Sequence, residues 1–112
     1  MYYLKKRMEV AGSHCLDLDY KSKCTNVHGH NWIIYVYCKS GTLNKAGMVT
    51  DFTEIKKIVH GQLDHKHLND IIEQPTAENI AKWIHEQIEN CYKVEIQESE
   101  GNIVTFEETK YE

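Results

Sequence analysis

Two histidines separated by one glycine, His28-Gly29-His30, are the most chemically informative triplet in the chain. On an extended backbone, residues two apart point to the same side, so both imidazoles can converge on one ion. The intervening glycine lets backbone approach without side-chain crowding. His14 offers a third imidazole, because it ends an alternating segment on the same parity as Leu4, Met8 and Val10. Three imidazoles with an open fourth position form the pattern of a catalytic zinc site, with Zn–N distances of about 2.0–2.1 Å. The same set suits other divalent ions, and spacing alone also admits ordinary polar histidines at a strand end.

Cys24 lies four residues before His28. It can serve as a fourth ligand, as a general base or nucleophile, or as a small buried side chain. A thiol beside a cation has a depressed pKa and becomes a usable base near neutrality. Bound to the metal, it would instead close the site and make it structural. Asp64 and His65 follow the first helical segment within Leu63-Asp64-His65-Lys66-His67-Leu68-Asn69. In a loop both can reach a thiol and tune its charge, although position alone favours a solvated helix C-terminus. Glu98 continues the parity of Val94 and Ile96, which aims a carboxylate at the apolar side of its strand. Such a group needs a partner. The 2-amino-pyrimidinone edge of a pterin or guanine can donate two hydrogen bonds to it. The plainer alternative is a strand-end glutamate turning into solvent.

The elements that must position these groups follow from periodicity. Residues 1–14 alternate, with Tyr2, Leu4, Met8 and Val10 opposite Tyr3, Lys5, Arg7 and Glu9, which predicts a half-buried strand. Residues 16–27 read as a polar loop. Residues 29–39 are β-branched and aromatic and predict a second strand. Asp51 stands at a helix N-cap, with Phe52, Ile55, Ile58/Val59 and Leu63 following at helical spacing. Pro75-Thr76 opens a second helix with Thr76 as its cap and a stripe of Ala77, Ile80, Ala81, Ile84, Ile88 and Cys91. Val94–Glu98 and Ile103–Glu107 predict a closing hairpin, with a tight turn at Gly101-Asn102. The order ββααββ implies an α+β domain: a four-stranded antiparallel sheet with two helices on one face.

At 112 residues the chain is a single domain, 1–112, with 41% hydrophobic and 27% charged residues. Its formal net charge of −4, with Lys and Arg scattered, argues against a nucleic-acid surface. The segment Met1–Arg7 does not read as a secretion signal, and no apolar run suggests a membrane span. The expected compartment is the cytoplasm. Cys15, Cys24, Cys38 and Cys91 make an even number, but in a reduced compartment metal binding or catalysis outranks a disulfide framework. His60, His85, Cys15, Cys38 and Cys91 accompany helical or apolar runs and are read as structural.

Taken in order, these elements resemble the 6-pyruvoyl-tetrahydropterin and 6-carboxytetrahydropterin synthase family. The residues that carry the likeness are His14 in Ala11-Gly12-Ser13-His14, then Cys24-x3-His28-x-His30, Asp51-Phe52, Leu63 to Asn69, Pro75 to Glu78, and Glu98 followed by Gly101-Asn102-Ile103. The resemblance implies a tunnelling fold whose sheets join into a barrel, in trimers paired to homohexamers with active sites between subunits. It implies zinc on His14, His28 and His30, with Cys24 as proton acceptor and Asp64 and His65 completing its relay. Glu98 would anchor the pterin and share in that relay, with Thr76 beside it as a substrate-binding residue. The implied substrate is 7,8-dihydroneopterin triphosphate. The short Cys-x3-His-x-His interval resembles the bacterial-type lyase, which releases acetaldehyde and triphosphate to leave 6-carboxy-5,6,7,8-tetrahydropterin on the route to queuosine. The pyruvoyl-forming branch is the alternative, and a small structural zinc module of Cys24, His14, His28 and His30 is the non-enzymatic one. The cation that holds the triphosphate is not assigned by the resemblance.

Overall fold

Strong alternation in the first forty residues builds two thirteen-residue strands, β1 (Tyr2–His14) and β2 (His28–Ser40). The computed structural model describes residues 1–109. β1 and β2 pair antiparallel without a slip, from Tyr2 opposite Ser40 to His14 opposite His28. Because side chains alternate with period two, this keeps Met8, Val10 and His14 on one face with Trp32, Ile34 and Val36, all buried.

Helix α1 (Phe52–Leu63) begins where Asp51 accepts the Thr53 N–H at 2.8 Å, and helix α2 (Ala77–Gln87) where Thr76 accepts the Asn79 N–H at 3.1 Å. Ile55, Val59 and Leu63 of α1 join Ile80, Ala81 and Ile84 of α2 in one core against the buried face of the sheet. Phe52, expected on the apolar stripe, is exposed at the first helical position. The chain then adds β4 (Cys91–Ser99) and β5 (Asn102–Glu107). Ser99 pairs with Asn102, so the tip of the hairpin is Glu100-Gly101 rather than Gly101-Asn102. Gly101 takes a φ of 81°, a conformation open to glycine at no steric cost.

The sheet differs from the expected four antiparallel strands. It has five, in the order β3-β1-β2-β4-β5, and β3 (Lys66–His67) runs parallel to β1 through Gly12–Lys66 and Ser13–His67. The element order is therefore ββαβαββ. The cause lies at the end of α1. Asp64 accepts the Ala11 N–H at 2.9 Å, and His65, at a φ of 58°, donates its N–H to the Ala11 carbonyl at 2.6 Å. That turn lays the next two residues along β1, and two residues are too few to show periodicity. Among the described residues no helix is long and apolar enough to cross a membrane.

Gly12 is the tight point of this edge. A Cβ there would meet the Cγ and both Cδ carbons of Leu68 at 3.2–3.3 Å. Gly12→Val should therefore overpack the junction and lower unfolding stability by about 1–3 kcal/mol, read as a lower urea midpoint at unchanged slope.

Candidate active site

The pairing of His14 with His28 at the end of β1 and β2, and of Gly12 with His30, sets three imidazoles around one point. Their metal-facing nitrogens all lie within 4.8 Å of one another. Ring centroids are 4.6 Å apart for His14–His28, 5.2 Å for His14–His30 and 4.9 Å for His28–His30.

Backbone carbonyls fix two of the rings. His14 Nδ1 donates to the Pro75 carbonyl at 2.7 Å, and His28 Nδ1 donates to the Asn26 carbonyl at 2.7 Å. A donating Nδ1 leaves Nε2 as a bare lone pair, the tautomer that a metal requires. Trp32 braces the cluster from below: its indole N–H donates to the Gly12 carbonyl at 3.1 Å, and its ring stands edge-on to His14 at 5.0 Å and to His30 at 5.1 Å.

The Pro75 carbonyl is brought over His14 by two side-chain amides that imitate strand pairing. Asn69 accepts the Cys15 N–H at 3.0 Å and donates to the Cys15 carbonyl at 2.9 Å. Gln74 does the same for Asp17, at 3.0 and 2.9 Å. Together they zip the chain after β1 to the segment before α2. The Asn26 carbonyl has a comparable support in the single 3-10 turn Lys23–Thr25. There Ser22 Oγ accepts the Cys24 N–H at 3.1 Å, and Leu16 N–H bonds to the Cys24 carbonyl at 2.8 Å.

The electrostatics suit a cation. His14 Nε2 and His30 Nε2 are buried and without hydrogen-bond partners, an arrangement that costs about 1–3 kcal/mol per group when left uncompensated. Burial holds the pKa of His14 below the ordinary histidine value, against the opposing pull of the Pro75 carbonyl, and burial likewise lowers that of His30. Neutral imidazoles with orphaned lone pairs are what a divalent ion satisfies, so the residues present fit zinc. Glu98 Oε1 stands 3.6 Å from His14 Nε2 and 3.8 Å from His30 Nε2. The carboxylate expected to face a pterin thus sits between the histidine cluster and the space beyond it.

That space is a cavity of about 540 Å³ lined by Lys23, Cys24, His28, Gly29, His30, Glu98, Ser99 and Asn102. It brings Cys24 and Glu98 together with two of the three histidines. The three-histidine cluster does not include Cys24, so the closed cysteine-and-histidine arrangement of a structural module is not formed. Asp64 and His65 do not border this cavity. They lie at the β1 edge, where the Asp64 carboxylate is 3.6 Å from His65 Nε2 and 3.8 Å from His60 Nδ1, and the His65 side chain is 83% exposed. Thr76 also stands apart, its hydroxyl occupied in capping α2. Sequence reasoning missed Lys23 as a cavity cation, Trp32 as a brace and the Asn69 and Gln74 clamps. The Leu-Asn ending of the Leu63–Asn69 motif was the one available signal for Asn69.

Comparison with known proteins agrees with this geometry. Residues 3–109 match the family described as 6-pyruvoyl tetrahydropterin synthase, and the chain belongs to that family of pterin-transforming enzymes. Among its relatives, the 6-carboxy-5,6,7,8-tetrahydropterin synthase of Bacillus subtilis is 29% identical over 79% of this chain and 66% of its own length. The dihydroneopterin monophosphate aldolase of Pyrococcus furiosus is 46% identical over 55% of each. The chain thus spans about two thirds and about half of these two relatives. The structure of Caenorhabditis elegans 6-pyruvoyl tetrahydropterin synthase superposes with a TM-score of 0.75 at 26% identity, covering 96% of both chains.

The cluster should bind one zinc ion per chain. At zinc one hundredfold above the dissociation constant, stability should rise by about 2.7 kcal/mol. His14→Ala should abolish that increase in a thermal-shift titration; an undiminished increase would show that the ion binds elsewhere.

Proposed function

We propose that this chain is a zinc-dependent lyase that converts 7,8-dihydroneopterin triphosphate and water to 6-carboxy-5,6,7,8-tetrahydropterin, acetaldehyde and triphosphate, the reaction of the queuosine route. The observation that carries the reading is a three-imidazole cluster, fit for a metal, opening on a cavity that a thiol and a carboxylate both line. His14, His28 and His30 would hold the zinc, which would supply a Lewis acid for the substrate's side-chain oxygens and so acidify the adjacent C–H bonds. Cys24 accepts the side-chain proton. Its backbone is pinned by the Ser22 and Leu16 hydrogen bonds, which place the residue at the cavity wall before substrate arrives. Glu98 receives the amino-pyrimidinone edge of the pterin. Lys23, the one cationic side chain that lines the cavity, holds the phosphate chain by charge.

Asp64 and His65 enter this scheme from a second copy of the chain. The outer edge of β1 carries a partner strand only at Gly12 and Ser13, and Ala11 is taken by Asp64 and His65, leaving Tyr2–Val10 open to pairing among the described residues. An open edge of that length invites another copy. In a trimer or hexamer, the exposed His65, oriented by Asp64, completes the relay at a neighbouring Cys24, and Thr76 of a neighbour borders the pterin.

Zinc-loaded protein supplied with 7,8-dihydroneopterin triphosphate should release acetaldehyde, with carboxytetrahydropterin identified by mass spectrometry. Cys24→Ala should reduce turnover by roughly 10²–10⁴-fold, as loss of a proton acceptor does. A retained pyruvoyl side chain would place the chain in the pyruvoyl-forming branch. Turnover confined to dihydroneopterin monophosphate would ally it with the aldolase relative. Undiminished turnover in Cys24→Ala would remove the thiol from the mechanism. Lys23→Ala should raise KM for the triphosphate about tenfold or more while leaving kcat within a fewfold, the pattern of a residue that binds the ground and transition states alike.

A further inference from the structure

Far along the sheet from the histidines lies a second pair of reactive side chains. Cys38 is near the opposite end of β2, roughly 30 Å from His28 at the rise of an extended strand. It faces Cys91 at the start of β4. Both are free thiols, 0% and 6% exposed. Their meeting depends on an irregularity: the register slips between Tyr37 and Cys38, so Tyr37 pairs with Lys93 and Cys38 with Cys91, and Tyr92 is left over. The extra residue is a bulge, a device that re-aims the side chains beside it. Here it turns Cys91 inward, next to Cys38.

The following pair, Lys39 and Asn90, is joined by a hydrogen bond from Lys39 N–H to the Asn90 carbonyl at 3.0 Å. Antiparallel pairs alternate, so Cys38 and Cys91 occupy the non-hydrogen-bonded position, where Cα atoms approach to about 4.5 Å and side chains are closest. That separation is within the range of about 4.4–6.8 Å that a disulfide spans.

The two thiols are not equivalent. The neighbouring Cys91 thiol, and then burial, push the Cys38 thiol far up; Cys91 is held below the ordinary thiol value first by its neighbour Cys38 and further by the Lys93 carbonyl and nearby His85. His85 in turn contacts the Glu108 carboxylate at 3.0 Å and the Phe106 ring at 5.0 Å. The Cys91 S–H donates to the Lys93 carbonyl at 3.5 Å.

A cavity of about 600 Å³, separate from that of the histidines, lies at this end of the sheet, lined by Ser40, Val49, Thr50, Ile88, Glu89 and Asn90 among others. It borders the segments next to the two cysteines, and the Ile88 carbonyl accepts the Cys91 N–H at 3.3 Å.

We propose that Cys38 and Cys91 form a redox-active dithiol, which a small hydroperoxide converts to an intramolecular disulfide. Cys91 as thiolate attacks one peroxide oxygen; the O–O bond breaks, the other oxygen leaves as hydroxide and takes a proton to become water, and Cys91 becomes a sulfenic acid. The Cys38 sulfur then attacks the Cys91 sulfur, and the sulfenic hydroxyl departs with the Cys38 proton as a second water. Two thiols and one hydrogen peroxide thus yield one disulfide and two waters, the two electrons passing from sulfur to oxygen. The step is independent of the pterin chemistry.

The test is to treat the folded full-length chain with hydrogen peroxide, block residual thiols by alkylation under denaturation, and map peptides by mass spectrometry. A linked peptide pair containing Cys38 and Cys91, lost on treatment with dithiothreitol, is the expected result. Cys38→Ser should leave Cys91 trapped as a sulfenic acid that dimedone labels, whereas Cys91→Ser should leave Cys38 unlabelled. The wild-type mapping stands even where a variant fails to fold. Cys38 and Cys91 both recovered as alkylated thiols, at peroxide doses that oxidise the half-buried Cys15 and Cys24, would overturn the proposal.

Discussion

Everything at the site hangs on the register between β1 and β2. Thirteen residues of each strand pair without a bulge, so the parity that buries Met8 and Val10 in the core is the parity that delivers His14 to the cluster. A one-residue slip would send His14 to the opposite face while leaving the strands intact. Core burial thus enforces the geometry of the histidine cluster: the apolar contacts of Trp32, Ile34 and Val36 hold the register that brings the imidazoles together. The same economy recurs at Trp32, whose single side chain fills the core, bonds to the Gly12 carbonyl and braces two of the three rings.

What the sequence made legible were features with a period or a local chemical signature. Alternation announced β1 and β2, Asp51 and Thr76 announced the helix starts, and His-Gly-His announced converging imidazoles. Side-chain parity put His14 with them, and the structure brings the three rings together. The features that stayed hidden depend on contacts between distant segments. Lys66–His67 becomes a strand only because Asp64 and His65 tie the end of α1 to Ala11. Asn69 and Gln74 act through residues more than fifty positions away, and apart from the Leu-Asn ending that singles out Asn69, nothing local marks them as clamps. Cys38 and Cys91 read as two small apolar residues until the bulge at Tyr92 sets them side by side.

The division of labour between the two ends of the sheet follows from the same topology. At the end where β1 stops and β2 starts, carbonyls of the connecting segments are directed onto imidazole N–H groups, and buried lone pairs are left facing one another. At the other end, the connection from β2 into α1 is held to the chain between α2 and β4 by the Thr50 hydroxyl on the Glu89 carbonyl and the Asn90 amide on the Val49 carbonyl. One end is organised around unsatisfied donors for an electrophile, the other around satisfied backbone and a pair of sulfurs. The β1–β2 ladder that runs between the two ends has no register change, and the slip in the β2–β4 ladder lies at the sulfur end alone.

The hydrogen bond from Leu16 N–H to the Cys24 carbonyl closes the neck of the loop that joins β1 to β2. Residues 18–21 lie beyond that neck and between the Asp17 clamp and the Ser22 cap, whereas His14 and His28 lie on the strand side of it. That short stretch is therefore a replaceable module. Insertions or deletions within it can reshape the loop without breaking the bonds at Asp17, Ser22 and Cys24 that steady His14 and His28. Diversification of chemistry on this scaffold has an obvious place to begin, upstream of a cysteine and behind a knot that keeps the histidines still.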